Sequence, residues 1–586
     1  MRARELLAVA AAWLCFHTRA DVTLRLPGLG ALRGALNTSH WSNRTIFQFQ
    51  GIPFAKPPVG DLRFKPPEPV GPWNGTLDAT KFGNKCPVIQ RSPQESDLRD
   101  LESYANAESV EDCLNLNVYT PKLGNSTPGV AVMVYIHGGS FRVGSAQEFW
   151  PSYLLEKEVV LVVPQYRLGP LGFLSLQTED VPGNVGLLDL LLALRWVQTY
   201  ISHFGGDPRQ VTIFGQSAGG AAVTLMMVTP LADKSLFARV VAQSGSALGT
   251  WVMDSHPVRS ARAIARLANC TQADLDDLAA CLRGLSARDL LLAHSNFLIE
   301  DLLAGGRGTG GNHPVIQTAG SHKFLVEHPL KSLQEGRFLQ VPMMGGVTRH
   351  EGSFILGNIY DIILQHYNLL HNKDFIRHNL TRATLKFSGI EDPTGMVTDV
   401  LNEKYFQPGQ LGDFNAMVPG LVDICGVALL KASTFRSVLE NSRQQPSYLY
   451  SFNYYGQHTK FGYGEDVEYP FQGGVSHSDD LIYLFPQHDF VLNSQDEAVA
   501  RTMVELWTNF AIYGKPSPAE GVPEWPPVST EAGPYLRIDR MSEVRPNFLD
   551  EYMIAVTGGL GPSGAPLVRF STPALLLWLV ATGLVL

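Results

Sequence analysis

The sequence predicts an α/β fold: one large, mostly parallel twisted sheet with helices on both faces. Strand-like runs alternate with helical ones along the chain, the order that winds a parallel sheet. Val130–Ile136 and Val159–Val163 are continuous runs rich in β-branched residues, as expected of strands buried on both faces. A third short run, Val211–Phe214, passes at once through Gly215-Gln216-Ser217-Ala218-Gly219 into a helical segment.

Residues 1–20 have the layout of a secretory signal peptide. Arg2 and Arg4 precede the apolar stretch Leu6–Phe16, and Thr18-Arg19-Ala20 ends in a small residue suited to cleavage. Residues 21–556 are expected to form a single domain, because no internal repeat or low-complexity linker breaks them. Within it, Leu187, Leu190, Leu191, Leu194, Val197 and Ile201 recur at helical spacing. Ala218–Met227 reads as the next helix, Val341–Gly346 and Tyr448–Phe452 as later strands, and Ala498–Ile512 as a late helix.

Residues 557–586 are a spacer and a hydrophobic tail. Ala574–Leu586 would make a helix of about 20 Å, short of the ~30 Å hydrocarbon core of a bilayer. Small residues Ser563-Gly564-Ala565 and a spacer from Pro566 to Pro573 precede it, and no basic segment follows. This arrangement fits the signal for a glycolipid (GPI) anchor, with membrane attachment only through that lipid. A short stop-transfer helix and an uncleaved apolar tail are the alternatives.

Composition narrows the function. The chain is 45% hydrophobic and 17% charged, an ordinary globular balance rather than a disordered one. A net charge of −9 without a run of five like charges leaves no basic footprint for nucleic acid. No His/Cys cluster has ligand spacing and no phosphate loop occurs, so neither a metal nor a cofactor is expected. Glycosylation sequons at Asn37, Asn43, Asn74, Asn125, Asn269 and Asn379 fit an exported chain. Once Cys15 leaves with the signal peptide, near neighbours pair as Cys86–Cys113 and Cys270–Cys281. Cys425 is then odd, either a buried thiol or an intermolecular link.

The sharpest chemical signal is the Gly215–Gly219 turn. A serine between a strand and a helix is held in strained backbone geometry, with its hydroxyl raised above the sheet edge. The helix N-terminus behind it favours developing negative charge. His137-Gly138-Gly139-Ser140 follows the strand Val130–Ile136, where N–H groups of Gly139 and Ser140, with that of Ala218, would form an oxyanion hole. Ser217 also needs a base, and sixteen histidines compete for that role.

A set of ordered motifs resolves the competition. Gly51-Ile52-Pro53-Phe54-Ala55, Glu111-Asp112-Cys113-Leu114, Tyr166-Arg167-Leu168-Gly169, Gly183-Asn184-Val185-Gly186-Leu187-Leu188-Asp189, Phe204-Gly205-Gly206-Asp207-Pro208 and Gln243-Ser244-Gly245 occur in that order. From about Gly51 to about Trp525 the chain resembles the type-B carboxylesterase and cholinesterase family, an α/β-hydrolase family. The resemblance implies a triad of Ser217, of Glu351 in Gly346–Ser353, and of His477 in Gly474–Asp480. His350 and His137 are then loop histidines. It also implies the two disulfides above, the first closing a loop at the mouth of a deep gorge. Arg63 with Glu111, and Arg167 with Asp189, would be buried structural ion pairs.

Departures from the family pattern bear on substrate. Ser140 stands where many relatives have glycine, and Gln216 where cholinesterases have glutamate. Ser103, beside Tyr104, occupies the position of the cholinesterases' choline-binding tryptophan. The elbow and the Gly474–Asp480 segment instead resemble carboxylesterases and juvenile hormone esterase-like enzymes, although Leu190 replaces a glutamine usual there.

The leading expectation is therefore an exported carboxylic-ester hydrolase tethered to the outer cell surface. It would act through an acyl-enzyme on small, uncharged lipophilic esters. The alternative is a catalytically silent, neuroligin-like adhesion protein, and a third reading is a slow-turnover binder of lipophilic esters. The adhesion relatives commonly lose the serine, whereas this chain keeps Ser217, Glu351 and His477 together.

Overall fold

Burial on both faces explains the composition of the central strands. Every residue of Val159–Pro164 is buried, as are six of the seven in Val130–Ile136. Side chains alternate across a strand, and here the alternation divides them between two cores. Val132, Val134, Ile136, Val160, Val162 and Ile213 face one core, and Met133, Tyr135, Leu161, Val163 and Phe214 the other.

The computed structural model describes residues 21–89, 110–124, 128–304, 306, 308, 310–462, 468–487 and 489–562. Among these residues, thirteen strands form one sheet. They are β1 (Val22–Leu26), β2 (Gly30–Thr38), β3 (Thr45–Pro53), β4 (Thr76–Asp78), β5 (Asn115–Thr120), β6 (Val130–Ile136) and β7 (Val159–Pro164). The remainder are β8 (Gly206–Gln216), β9 (Arg239–Gln243), β10 (Met343–Thr348), β11 (Ser447–Phe452), β12 (Tyr535–Ile538) and β13 (Glu543–Arg545). Their spatial order is β1-β2-β3-β5-β7-β6-β8-β9-β10-β11-β12-β13, with β4 beside β2. From β7 to β12 all neighbours are parallel, and the two margins are antiparallel apart from the parallel β2–β4 pair.

Helices cover both faces. On one face lie α1 (Val185–Tyr200) and α2 (Ala218–Val228), whose residues share a core with Val132 and Ile213. The other face packs against the helix Ser494–Tyr513, where Val504, Trp507 and Phe510 are fully buried. The strand β8 is longer than the sequence run Val211–Phe214 suggests. Its polar start pairs with β6 only at Val130↔Gly206, before a register shift to Val132↔Val211. The helical stretch Phe414–Ser442 is apolar and long enough to cross a membrane, but 89% of its most apolar window is buried inside the protein. Its hydrophobicity belongs to the core.

Cys86–Cys113 and Cys270–Cys281 form disulfides, and Cys425 is a free thiol with no exposed surface. Both family ion pairs are present. Arg167 Nε donates to Asp189 Oδ2 at 2.8 Å, and Arg63 Nε to Glu111 Oε2 at 2.9 Å. Breaking either buried pair would cost roughly 3–5 kcal/mol by stranding one charge.

Candidate active site

Strand β8 ends at Gln216 and helix α2 begins at Ala218, which leaves Ser217 alone to make the turn. Its φ of 59° and ψ of −122° lie in a region that L residues avoid. A Cβ on Gly219 would come 1.9 Å from the Ile136 carbonyl oxygen, so strand and helix meet only because that position is glycine. The Ser217 N–H donates to the Gln243 carbonyl at 2.8 Å, which pins the turn to β9.

The loop after β6 lies against this turn. A Cβ on Gly138 would sit 3.0 Å from that of Ser217. Gly139 and Ser140 both have positive φ, 105° and 56°, which tightens the loop around the space above the serine. Among the described residues, the N–H groups of Gly139, Ser140 and Ala218 donate to no protein acceptor. The Ser140 hydroxyl lies 3.4 Å from His313 Nε2, and Asn312 Nδ2 donates to the Ser140 carbonyl at 3.2 Å. These two residues brace a serine that stands where glycine would fit without strain.

Glu351 follows β10, and His477 lies on the loop after β11. Nδ1 of His477 is 2.6 Å from Glu351 Oε2, and both side chains are buried. With that ring N–H donating to the carboxylate, Nε2 presents its lone pair. The side-chain amide of Gln216 donates to it at 3.1 Å, so the imidazole sits directly beside the Gln216–Ser217 turn. The Phe354 ring stacks on the imidazole at 5.3 Å, with 40% of the residue exposed toward solvent.

The electrostatics keep Glu351 ionised. Burial alone would raise its carboxyl, but His477, the Ser244 hydroxyl and the Thr348 N–H all stabilise the anion, and the balance falls below the usual value. The Thr348 N–H donates to Oε1 at 2.7 Å, and Ser244 Oγ donates to the same oxygen. Asp480 lies behind. Burial, reinforced by the Glu351 charge, raises it to about 6, while a bond from Gln243 Nε2 at 2.8 Å pulls it down.

The structure thus brings Ser217, Glu351, His477 and the Gly139–Ser140 loop to one place. His350 and His137 are in loops, yet both are buried, with 0% and 1% exposure, and are removed from direct solvent. Burial holds His137 down at about 4. Sequence reasoning named Gln243-Ser244-Gly245 only as a family mark and missed its work, which is to hold both Glu351 and Asp480. The bonds from Gln216 and His350 had no local sequence signal. Ser103, Tyr104, Asn125, the signal segment 1–20 and the tail from Ser563 lie outside the described residues. Among the described residues no group of three His, Cys, Asp or Glu side chains is placed to hold a metal ion.

The model of the carboxylesterase family matches residues 19–553. Juvenile hormone esterase of Tribolium castaneum is 36% identical, with 84% of each chain covered. Acylcarnitine hydrolase of Mus musculus is 32% identical over 87% of this chain and 86% of its own. Glutactin of Drosophila melanogaster is 34% identical over 88% of this chain, which spans 49% of that protein. Among solved structures, juvenile hormone esterase from Manduca sexta, with OTFP covalently attached, superposes with a TM-score of 0.76. It is 26% identical, covering 92% of this chain and 99% of that one. A large mixed sheet with a strained serine turn and a carboxylate-bound histidine beside it is thus matched along nearly its whole length by ester hydrolases: the chain belongs to the carboxylesterase family, has the α/β-hydrolase fold, and is a serine carboxylic-ester hydrolase acting on small-molecule esters.

Proposed function

We propose that Ser217 is the nucleophile, His477 the general base and Glu351 the carboxylate that orients it. The Glu351–His477 contact beside the strained Ser217 turn carries this reading. As Ser217 Oγ attacks the ester carbonyl carbon, His477 Nε2 takes its proton and Glu351 stabilises the imidazolium. The carbonyl oxygen becomes an oxyanion that accepts from the N–H groups of Gly139, Ser140 and Ala218, each worth about 3 kcal/mol in comparable sites. The tetrahedral intermediate expels the alkoxide, which takes the proton from Nε2 and leaves an acyl-serine. Water, deprotonated by the same nitrogen, then releases the acid and restores Ser217.

Ser217→Ala is expected to fold normally and to lose ester hydrolysis, and His477→Ala and Glu351→Ala to be severe, because the three act as a unit. Retention of more than a few per cent of wild-type kcat/KM by Ser217→Ala would overturn the assignment. The site favours uncharged lipophilic esters: Gln216 is neutral and the Phe354 face supplies apolar surface. The adhesion reading is not favoured, since juvenile hormone esterase and acylcarnitine hydrolase among the relatives above are ester hydrolases by name and the chain keeps Ser217, Glu351 and His477 together.

Residues 21–556 act as the catalytic unit on the exported side of the secretory pathway. Two disulfides fit its oxidising environment. Asn43, Asn74, Asn269 and Asn379 are exposed and accessible to glycosylation, as Asn37 is in part. The tail from residue 557 is read as a lipid-anchor signal. Phosphatidylinositol-specific phospholipase C should then release activity from intact cells. Activity that stays cell-bound and dissolves only in detergent would show a transmembrane tail instead.

A further inference from the structure

Glu351 and His477 lie on separate loops, and their mutual height is set by bonds between those loops. Ser353 Oγ donates to Ser476 Oγ at 2.9 Å. The other ties pass through His350. Its N–H donates to the Val475 carbonyl at 2.8 Å, and the Val475 N–H donates back to His350 Nδ1 at 2.9 Å. The pair closes a ring like an antiparallel β-bridge, in which an imidazole nitrogen replaces one backbone carbonyl. The loop is shaped to this ring. Gly474 has φ 65°, and a Cβ there would fall 2.2 Å from His350 Nδ1.

The imidazole must be neutral with its proton on Nε2, since Nδ1 accepts. Its surroundings enforce that state. Burial, with Arg349 and Lys431 adding positive charge, holds its protonation far below the ordinary histidine range. Lys431 Nζ donates to the carbonyls of Arg349 at 2.8 Å and Glu551 at 2.6 Å, and Arg349 to those of Gly558 and Gly559. A third cation has no place here.

We propose that His350 is a positioning residue for the triad: its Nδ1, by accepting the Val475 amide, fixes where His477 rides over Glu351 and so how well Nε2 reaches Ser217. The proposal rests on the triad reading above. Misplacement by about 1 Å at a reacting centre lowers rates by about a hundredfold, even when the mutated residue does not touch substrate.

Two substitutions separate this acceptor role from simple filling of space. In His350→Asn the amide oxygen sits at the distance of Nδ1, whereas in His350→Gln it sits at that of Nε2, although glutamine is the closer match in volume. His350→Leu removes the acceptor. Each variant is assayed on p-nitrophenyl butyrate, with competent sites counted by titration with diethyl p-nitrophenyl phosphate and the thermal midpoint recorded. Per competent site, kcat should fall about a hundredfold in His350→Leu and His350→Gln, with KM within about two-fold. His350→Asn should recover to within about ten-fold of wild type. Glutamine equal to or better than asparagine, losses that track the thermal midpoint, or an unchanged kcat in all three would overturn the proposal. If His350→Leu does not fold, the order of asparagine and glutamine still decides. Should the triad reading itself be wrong, Ser217→Ala would stay active and the wild type would not titrate, an outcome distinct from any of these.

Discussion

The side-chain amide of Gln216 donates to Nε2 of His477 at 3.1 Å, occupying the lone pair that takes the Ser217 proton in the proposed mechanism. The resting imidazole is thus held in its basic tautomer by a neighbour it has to leave. Replacing the amide by a carboxylate in Gln216→Glu puts a negative charge against the ring and favours the imidazolium. The acidic limb of the kcat/KM profile should move to higher pH by about one unit. A limb that stays in place would show that residue 216 does not face the imidazole in the working enzyme.

The same neutral residue bears on substrate choice. A quaternary ammonium is held by a π-face or a carboxylate, and cation–π contact in a desolvated site contributes about 2 kcal/mol. Gln216 supplies no charge. A neutral butyrate ester should therefore exceed butyrylcholine in kcat/KM by at least about ten-fold at comparable leaving-group reactivity. Equal rates would mean that an aromatic such as Phe354 serves as a cation site.

Stability should depend on pH through buried neutral histidines. Burial, aided by the Arg142 charge, lowers His294 from 6.5 to about 4, while its bonds to Gly310 and Asn312 oppose the shift. Between those values the unfolded chain binds the proton and the folded chain does not, so stability is lost as pH falls from 6.5 to about 4. His294→Gln removes that linkage. By pH 4 it should lose about 3 kcal/mol less than wild type, measured by urea unfolding relative to pH 7. Parallel curves would place the proton elsewhere.

The Cys270–Cys281 bridge, of separation 11, ties the residue after Asn269 to a cysteine within the helix Leu275–Gly284. The double variant Cys270→Ser, Cys281→Ser should lose about 3 kcal/mol, chiefly by freeing the unfolded chain. Because the bridge lies in a satellite core apart from Ser217, kcat/KM at 25 °C should stay within about two-fold. A large fall in kcat/KM without a fall in stability would contradict that separation.

How far the site could be read from the sequence follows from how local each part is. The Ser217 turn was legible because its strain is answered within five residues, by Gly215 and Gly219, and by the apolar strand and helix on either side. Glu351 and His477 were reached only by resemblance, since their pairing spans 126 residues and is set by β10, β11 and the loops beyond. The brace between His350 and Val475 has a separation of 125, and the Gln216–His477 bond one of 261, so neither leaves a periodicity to detect. Among the elements, β6 and the helix at Ala218 matched closely. The polar start of β8 was hidden because its partner accommodates it through a shift in register.

The parallel centre of the sheet has a consequence for how activity appears during synthesis. Strands β8, β9, β10 and β11 are adjacent in space, yet each is delivered only after a long crossover. Closing such loops costs chain entropy before any contact rewards it, which makes non-local pairing slow. Because the proposed base, His477, follows β11, a nascent chain that stops short of it should not turn over an ester. Turnover then reports completed assembly, and during refolding it should return after helical ellipticity does. On the export proposed above, the compartment making the enzyme is exposed to its hydrolysis only after the fold has closed.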